Sequence, residues 1–164
     1  MSERAWIRGA QRGSVADLER LFREHWPRAF RAARLVTGDA AAAEDIAQEA
    51  FLAAVRNLDR FDRRRPFGPW LHRIVVNRAI DWSRRRALRG EVELHDAPAE
   101  LPDSDVGAET VAAMRRLSPE HRAVIVLRHL LGYTPGQIAR LLELPRGTVN
   151  SRLRRGLDEL KEHL

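Results

Sequence analysis

Apolar residues recur every three or four positions through the first 90 residues, and nowhere there do they alternate with polar ones as a half-buried strand requires. The spacing predicts helices. Ser14, with Asp17 three residues on, opens the first, and Leu18, Leu21, Phe22 and His25 follow at helical intervals until Pro27 marks a kink or a fresh start. A run from Ala29 to Thr37 stops at Gly38. Asp39 then caps a helix whose Ile46, Ala50, Phe51, Ala54, Val55 and Leu58 form one apolar stripe. After a loop holding Arg63, Arg64, Arg65, Pro66 and Gly68, a further helix is predicted from about Pro69 to Arg86. On its wheel Leu71, Val75, Ala79 and Trp82 face inward, and Arg73, Asn77, Asp81 and Arg84 face out together.

The last third of the chain has sharper punctuation. Ser118-Pro119-Glu120 places a cap, a first-turn proline and an acid at a helix start, and the apolar run Val124 to Leu131 ends at Gly132. Thr134 and Gln137 have capping-box spacing and begin a short helix through Ile138, Leu141 and Leu142. Leu144-Pro145-Arg146-Gly147 turns into a last helix, in which Val149, Leu153, Leu157, Leu160 and Leu164 share a face. Two short helices joined tightly behind a supporting helix make a helix-turn-helix.

Between these blocks the pattern fails. From about Arg89 to Glu109, Pro98, Pro102, Gly107 and a crowd of carboxylates interrupt any period that could bury a face, so two all-α domains joined by a linker are expected. The divisions are 1–89, 90–109 and 110–164. Roughly 20 extended residues reach at most about 70 Å, enough to set two modules on DNA sites one to two turns apart.

Charge follows the same partition. Residues 1–90 carry 19 arginines against 11 acids; 91–110 carry seven acids and no base; 111–164 carry nine arginines and one lysine against five acids. The total is +6, and two basic blocks flanking an acidic strip suit a polyanionic partner. The preference for arginine, 28 against a single lysine, is of the kind that genomic base composition can produce, which would account for part of this basicity. No cysteine is present, which excludes disulfides and thiolate metal sites and suits a reducing cytosol. No signal peptide or membrane span is read. The six histidines are scattered, and no H-E-x-x-H, phosphate-binding loop or nucleophile elbow occurs, so neither catalysis nor a metal or cofactor is assigned.

The face of the last helix opposite its leucines offers Arg146, Thr148, Asn150, Ser151, Arg152, Arg154 and Arg155. Arginine can bond guanine edges bidentately, and Asn and Ser can reach bases or phosphates. A basic helix face is often merely solvated, but the helix and turn before it weigh towards DNA.

Leu117-Ser118-Pro119-Glu120-His121-Arg122, Leu131-Gly132-Tyr133-Thr134 and Gly147-Thr148-Val149-Asn150-Ser151-Arg152-Leu153 resemble region four of the extracytoplasmic-function (ECF) sigma factors of the sigma-70 family. Ala43-Glu44-Asp45-Ile46-Ala47-Gln48-Glu49-Ala50-Phe51, and Phe67-x-x-Trp70-Leu71-x-Arg73-Ile74-x-x-Asn77-Arg78-Ala79-x-Asp81, resemble region two. The resemblance implies a subunit that binds core RNA polymerase, through the largest-subunit clamp and, by the C-terminal domain, the flap. It implies recognition of minus-thirty-five and minus-ten promoter elements, strand opening, and an anti-sigma partner in the cytoplasm.

By that resemblance Asp45, Gln48, Glu49 and Leu52, one helix face by spacing, would dock on the clamp. Asn77 would read an unstacked minus-ten base, with Arg73, Asp81 and Arg84 beside it. Arg63, Arg64 and Arg65, and Arg84, Arg85 and Arg86, would make phosphate contacts rather than sequence-specific ones. Trp70 and Phe67 are either stacking platforms or core. The acidic linker is either a solvated spacer or a nucleic-acid mimic in the polymerase cleft. Two other readings account for less: an ordinary helix-turn-helix regulator, and an N-terminal protein-interaction module without promoter melting.

Overall fold

The computed structural model describes residues 2–90 and 107–164; the acidic run that sets the linker apart, Glu91 to Asp105, lies outside them. Among the described residues there are eight α-helices and no strand. In chain order these are α1 (Glu3–Gln11), α2 (Val15–Thr37), α3 (Ala40–Arg56), α4 (Phe67–Leu88), α5 (Ala108–Arg115), α6 (Pro119–Ile125), α7 (Pro135–Leu142) and α8 (Arg146–Glu162). A 3₁₀ turn (Leu58–Arg60) follows α3, and α6 continues as a π-helical turn (Val126–Leu130).

The predicted caps form. The Ser14 hydroxyl accepts from the Asp17 N–H and the Asp39 carboxylate from the Ala42 N–H. Gly38 takes φ 70°, the left-handed stop that lets its N–H reach the Arg34 carbonyl. Pro27 does not divide the chain: α2 runs through it. A proline removes one donor, and Pro27 lies on an exposed position, while Leu21, Ala29, Ala32, Ala33 and Val36 hold both halves of the helix in one core. Alanines supply much of the contact, since Ala29, Ala32, Ala33, Ala43, Ala47, Ala50 and Ala54 are fully buried and let α2, α3 and α4 lie close together.

Helix α1 is a short element beneath this bundle. Ser2 caps it, Ile7 is its buried anchor, and the Gln11 side-chain amide donates to the carbonyls of Leu58 and Phe61 at 2.9 and 3.2 Å. That clamp fixes the turn leaving α3. His25 of α2 bonds Glu3 of α1.

Helix α4 starts two residues before the predicted boundary and ends two after it. Leu71, Val75 and Ala79 are buried as expected, and Trp82 partly so, but His72, Val76, Ile80 and Ser83 are buried too. The reason is that α4 packs on two sides, against α2 and α3 and against α6 and α7. Helix α5 opens at Ala108 and packs on α2, so Ala108 and Glu109, which the charge pattern assigns to the linker, are helical.

In the C-terminal unit the Ser118 hydroxyl accepts from the His121 N–H. Thr134 and Gln137 form both bonds of their capping box, at 3.2 and 2.9 Å. The π turn ends with the Leu131 N–H on the Val126 carbonyl and the Tyr133 N–H on that of Leu127, which brings Tyr133 round to face α4. Glu143 closes α7 in the left-handed region, φ 56°. Helix α8 seats Val149 and Leu153 in the core and crosses α6 at Gly156, where a Cβ would stand 2.9 Å from the Ile125 Cδ1. Leu157 and Leu160 are half-buried, but Leu164 lies beyond the helix end, 69% exposed. On α3 the striped Val55 is likewise 39% exposed.

Candidate nucleic-acid interface

Seating Val149, Leu153 and Gly156 turns the other face of α8 outward. Arg146, Asn150, Arg154 and Arg155 are exposed, and Thr148, Ser151 and Arg152 are half-buried between them. Among the described residues Arg146, Arg154 and Arg155 have no acidic partner, which leaves their guanidinium donors available to base edges or phosphates.

A second basic face lies along α4. Arg73, Asn77, Asp81, Arg84 and Arg85 are all exposed, while the opposite side of the helix is core. The preceding loop presents Arg63, Arg64 and Arg65; Arg64 is forked onto Asp62 at 3.1 and 3.2 Å, and those hydrogen bonds hold the Asp62 carboxyl below its usual range. Of the two aromatics, Phe67 is core, 3% exposed. Trp70 is half-buried, stacked on Phe61 with centroids 4.6 Å apart, and lines an open cleft of about 690 Å³ between this loop and α7.

On α3, Asp45, Gln48, Glu49 and Leu52 are exposed together. Glu49 reaches Arg78 of α4 at 3.3 Å. Leu52, 55% exposed, lies beside Val55, and with Phe22 of α2 also exposed the bundle carries large apolar side chains next to acids. Phe22 packs on Trp26 and Phe51, with centroids 5.0 and 4.9 Å apart. The sequence sets Phe22 at a helical interval and Val55 in the apolar stripe of α3; their exposure shows only once the helices are packed.

Polar contacts at the border between the two units have no signal in the sequence, and besides the pair of bonds from Arg115 of α5 to the Gly38 carbonyl at 3.0 and 2.6 Å there are three between side chains. Arg73 donates to Glu143 at 2.7 Å, Arg84 to Glu120 at 2.6 Å, and Nδ1 of His72 lies 2.6 Å from the Tyr133 hydroxyl. Burial pushes the Glu120 carboxyl up, but the Arg84 hydrogen bond, its own backbone N–H and the charges of Arg84 and Arg152 outweigh that and hold it low. Burial, then the positive fields of His25 and Arg28, push the His72 imidazole down to about 4, and burial raises the Tyr133 phenol to about 12.

His72 is therefore neutral in the folded chain and would titrate near 6.5 when unfolded. A depressed folded value means stability is complete above about 6.5 and falls as pH drops towards 4. We expect urea unfolding to show a loss of about 2 kcal/mol between pH 7 and pH 5 from this group, absent in His72→Asn. Equal pH slopes in both proteins would remove His72 as the cause.

Among the described residues no helix is long and apolar enough to cross a membrane, and no group of three or more His, Cys, Asp or Glu could hold a metal.

An all-α protein with a helix-turn-helix and a second basic helix face is, by architecture, a two-part DNA-binding protein. The family description "Sigma-70 region 2" matches residues 21–89 and "Sigma-70, region 4" matches residues 108–160. The chain is 35% identical over 158 residues to the ECF RNA polymerase sigma factor SigL of Mycobacterium tuberculosis, covering 91% of this chain and 89% of that one. It is 36% identical over 162 residues to SigE of Mycolicibacterium smegmatis, covering 92% of this chain but spanning only 63% of that relative's length. Among solved structures, CnrH in complex with the cytosolic domain of CnrY superposes with a TM-score of 0.73 at 29% identity, over 98% of this chain and 95% of that one. RpoE of Bartonella quintana, in complex with the anti-sigma factor NepR, shares the fold with a TM-score of 0.74 at 23% identity, over 91% and 97%. The chain belongs to the ECF sigma factors of the sigma-70 family.

Proposed function

We propose that this chain binds core RNA polymerase and directs it to promoters, the N-terminal domain (1–89) recognising and opening the minus-ten element and the C-terminal domain (110–164) reading the minus-thirty-five element, with 90–109 as the link. The observation that carries this reading is the division of α4: Leu71, Val75 and Ala79 are fully buried, while Asn77, flanked by Arg73, Asp81 and Arg84, stands exposed on the other side. An amide and guanidinium cluster on a rigid helix can hold an unstacked base and the backbone on either side of it. Trp70 and Phe61 give a partly open stacked pair at the end of that row.

Polymerase would dock on α3, where Asp45, Gln48 and Glu49 offer charge and hydrogen bonds around the exposed Leu52, the clamp of the largest subunit being the site and the flap meeting the C-terminal domain. Arg63, Arg65 and Arg85 serve phosphates and fix register without reading sequence. On α8 the reading side chains are Arg146, Thr148, Asn150, Ser151, Arg152, Arg154 and Arg155. The chain acts in the cytoplasm and performs no catalysis of its own. Since CnrH and RpoE are solved with CnrY and the anti-sigma factor NepR, an anti-sigma partner is proposed here too, covering the α3 surface.

Replacing Asn77 by alanine tests the central claim. We expect closed-complex formation to be nearly unchanged and strand opening to fall about tenfold, as one hydrogen-bonded base contact of roughly 1–1.5 kcal/mol would give. Permanganate reactivity of minus-ten thymines reads this out. Normal reactivity in the variant would take base capture away from Asn77.

A further inference from the structure

Helix α1 carries a row of arginines to which the promoter and polymerase faces give no role, and it lies ahead of the stretch matched as region two, residues 21–89. Arg4, Arg8 and Arg12 are spaced by four, share one side of the helix and are all exposed. Helix stability does not explain the row. A cation in the last turn suits Arg8, but Arg4 is the second residue of α1, at the positive end of the dipole, and like charges at this spacing repel one another. None of the three forms an ion pair among the described residues. The acids on and against α1 are engaged elsewhere: Glu3 bonds His25, and Asp17, which lies against Gly9, pairs with Arg20 at 2.9 Å.

The row is fixed to the arginine-rich loop. Ile7 is buried, and Gln11 donates to the carbonyls of Leu58 and Phe61 at 2.9 and 3.2 Å, on either side of Arg60. Arg60 and Arg63 are exposed and form no ion pair among the described residues; Asp62 between them is forked by Arg64, and Asp59 is the one acid in this turn without a partner there. Phe61 stacks on Trp70 at the start of α4, with centroids 4.6 Å apart. Guanidinium groups therefore run from the stacked pair, through the 3₁₀ turn, onto α1.

We propose that Arg4, Arg8 and Arg12 form a phosphate track for the melted promoter strand where it continues downstream of the minus-ten element. This inference rests on the promoter-face reading of α4 and extends it to a helix with no part in that reading. The linker to the domain that reads the upstream element leaves from the other end of α4, so the Phe61–Trp70 end, with α1 beyond it, lies on the downstream side. Four residues of helix advance about 6 Å, so the three guanidinium groups can follow successive phosphates of an extended strand. Contacts of this kind respond to charge and not to base identity, so the track holds the opened strand whatever its sequence.

Two variants of the full-length chain test this: Arg4→Gln with Arg8→Gln and Arg12→Gln, and the same three positions changed to lysine. Far-UV circular dichroism and titration with core polymerase check folding and assembly. Holoenzyme made with each is bound to two forked fragments, one whose single strand stops at the downstream edge of the minus-ten element and one whose strand continues several nucleotides further.

The glutamine variant should lose about tenfold in affinity for the longer fragment and almost nothing on the shorter one. On the longer fragment the slope of log affinity against log salt should become shallower by about 2, as three single-strand phosphate contacts require. The lysine variant keeps the charge and should bind as the unaltered chain does. Equal losses on both fragments, equal weakening by lysine and glutamine, or no loss at all would overturn the track. Weaker binding of the glutamine variant to core polymerase would overturn it as well and assign the row to an acidic face of the enzyme. If unaltered holoenzyme does not prefer the cognate minus-ten fragment to a scrambled one, the promoter-face reading fails and the track with it. If that preference holds but the longer strand adds no affinity, the track alone fails.

Discussion

Asp45→Arg combined with Glu49→Arg is expected to weaken binding to core RNA polymerase by about a hundredfold, close to 3 kcal/mol, while helicity stays as it is. Both residues are exposed on α3 beside Leu52, and Ile46, Ala47, Ala50 and Phe51 on the inner side hold the helix in place without them. Within the chain the double reversal breaks the Glu49–Arg78 ion pair, which spans 3.3 Å between groups 61% and 43% exposed and contributes little to stability. Reversing two charges at a docking face adds repulsion to the loss of attraction, so the effect should exceed that of alanine at the same positions. Titration of labelled chain with core polymerase measures it, with Glu19→Arg on the exposed side of α2 as the comparison. If the double reversal binds like Glu19→Arg, polymerase docks elsewhere on the bundle.

Arg155→Ala should separate sequence reading from general charge. Arg155 is exposed on α8, away from Val149 and Leu153, and among the described residues it is not tied to an acid. If it contacts a guanine edge, its removal should cost about 1–3 kcal/mol on the cognate minus-thirty-five element and far less on scrambled DNA. An arginine that only meets phosphate would weaken both alike and reduce the salt slope by roughly one. Fluorescence anisotropy of reconstituted holoenzyme on both DNAs across a salt series distinguishes these results, and equal losses would move Arg155 from reading to positioning.

What could be read in advance was what is settled locally. Ser14, Asp39, Ser118 and the Thr134–Gln137 pair act on N–H groups three residues away, so their partners are fixed by the backbone, and each cap forms as expected. The two faces of α8 and the outer row of α4 follow from helical spacing alone. What the sequence does not disclose depends on a second element. Helix α1 buries a single large side chain, Ile7, too little for a periodic signal. The continuity of α2 through Pro27 depends on a core shared by both of its halves. Glu120 reads as an ordinary first-turn acid and Glu143 as a turn residue; only the packing of α6 and α7 on α4 makes them partners of Arg84 and Arg73. Burial of His72 and Ser83 beside the exposed Arg73 and Arg84 likewise follows from α4 being covered on two sides.

The crossing of α6 and α8 at Gly156 bears on how promoter preference can diverge. A methyl group there would press on the end of the Ile125 side chain at 2.9 Å and on the His121 Cβ at 3.3 Å, so the close crossing of the two helices favours the smallest residue at this position. Asn150, Arg154 and Arg155 stand clear of that seat. If that outer row reads promoter DNA, as proposed, its residues can change while the mounting of the helix stays as it is, because they take no part in the crossing. The positions free of packing and the one held small by it share a helix but not a face.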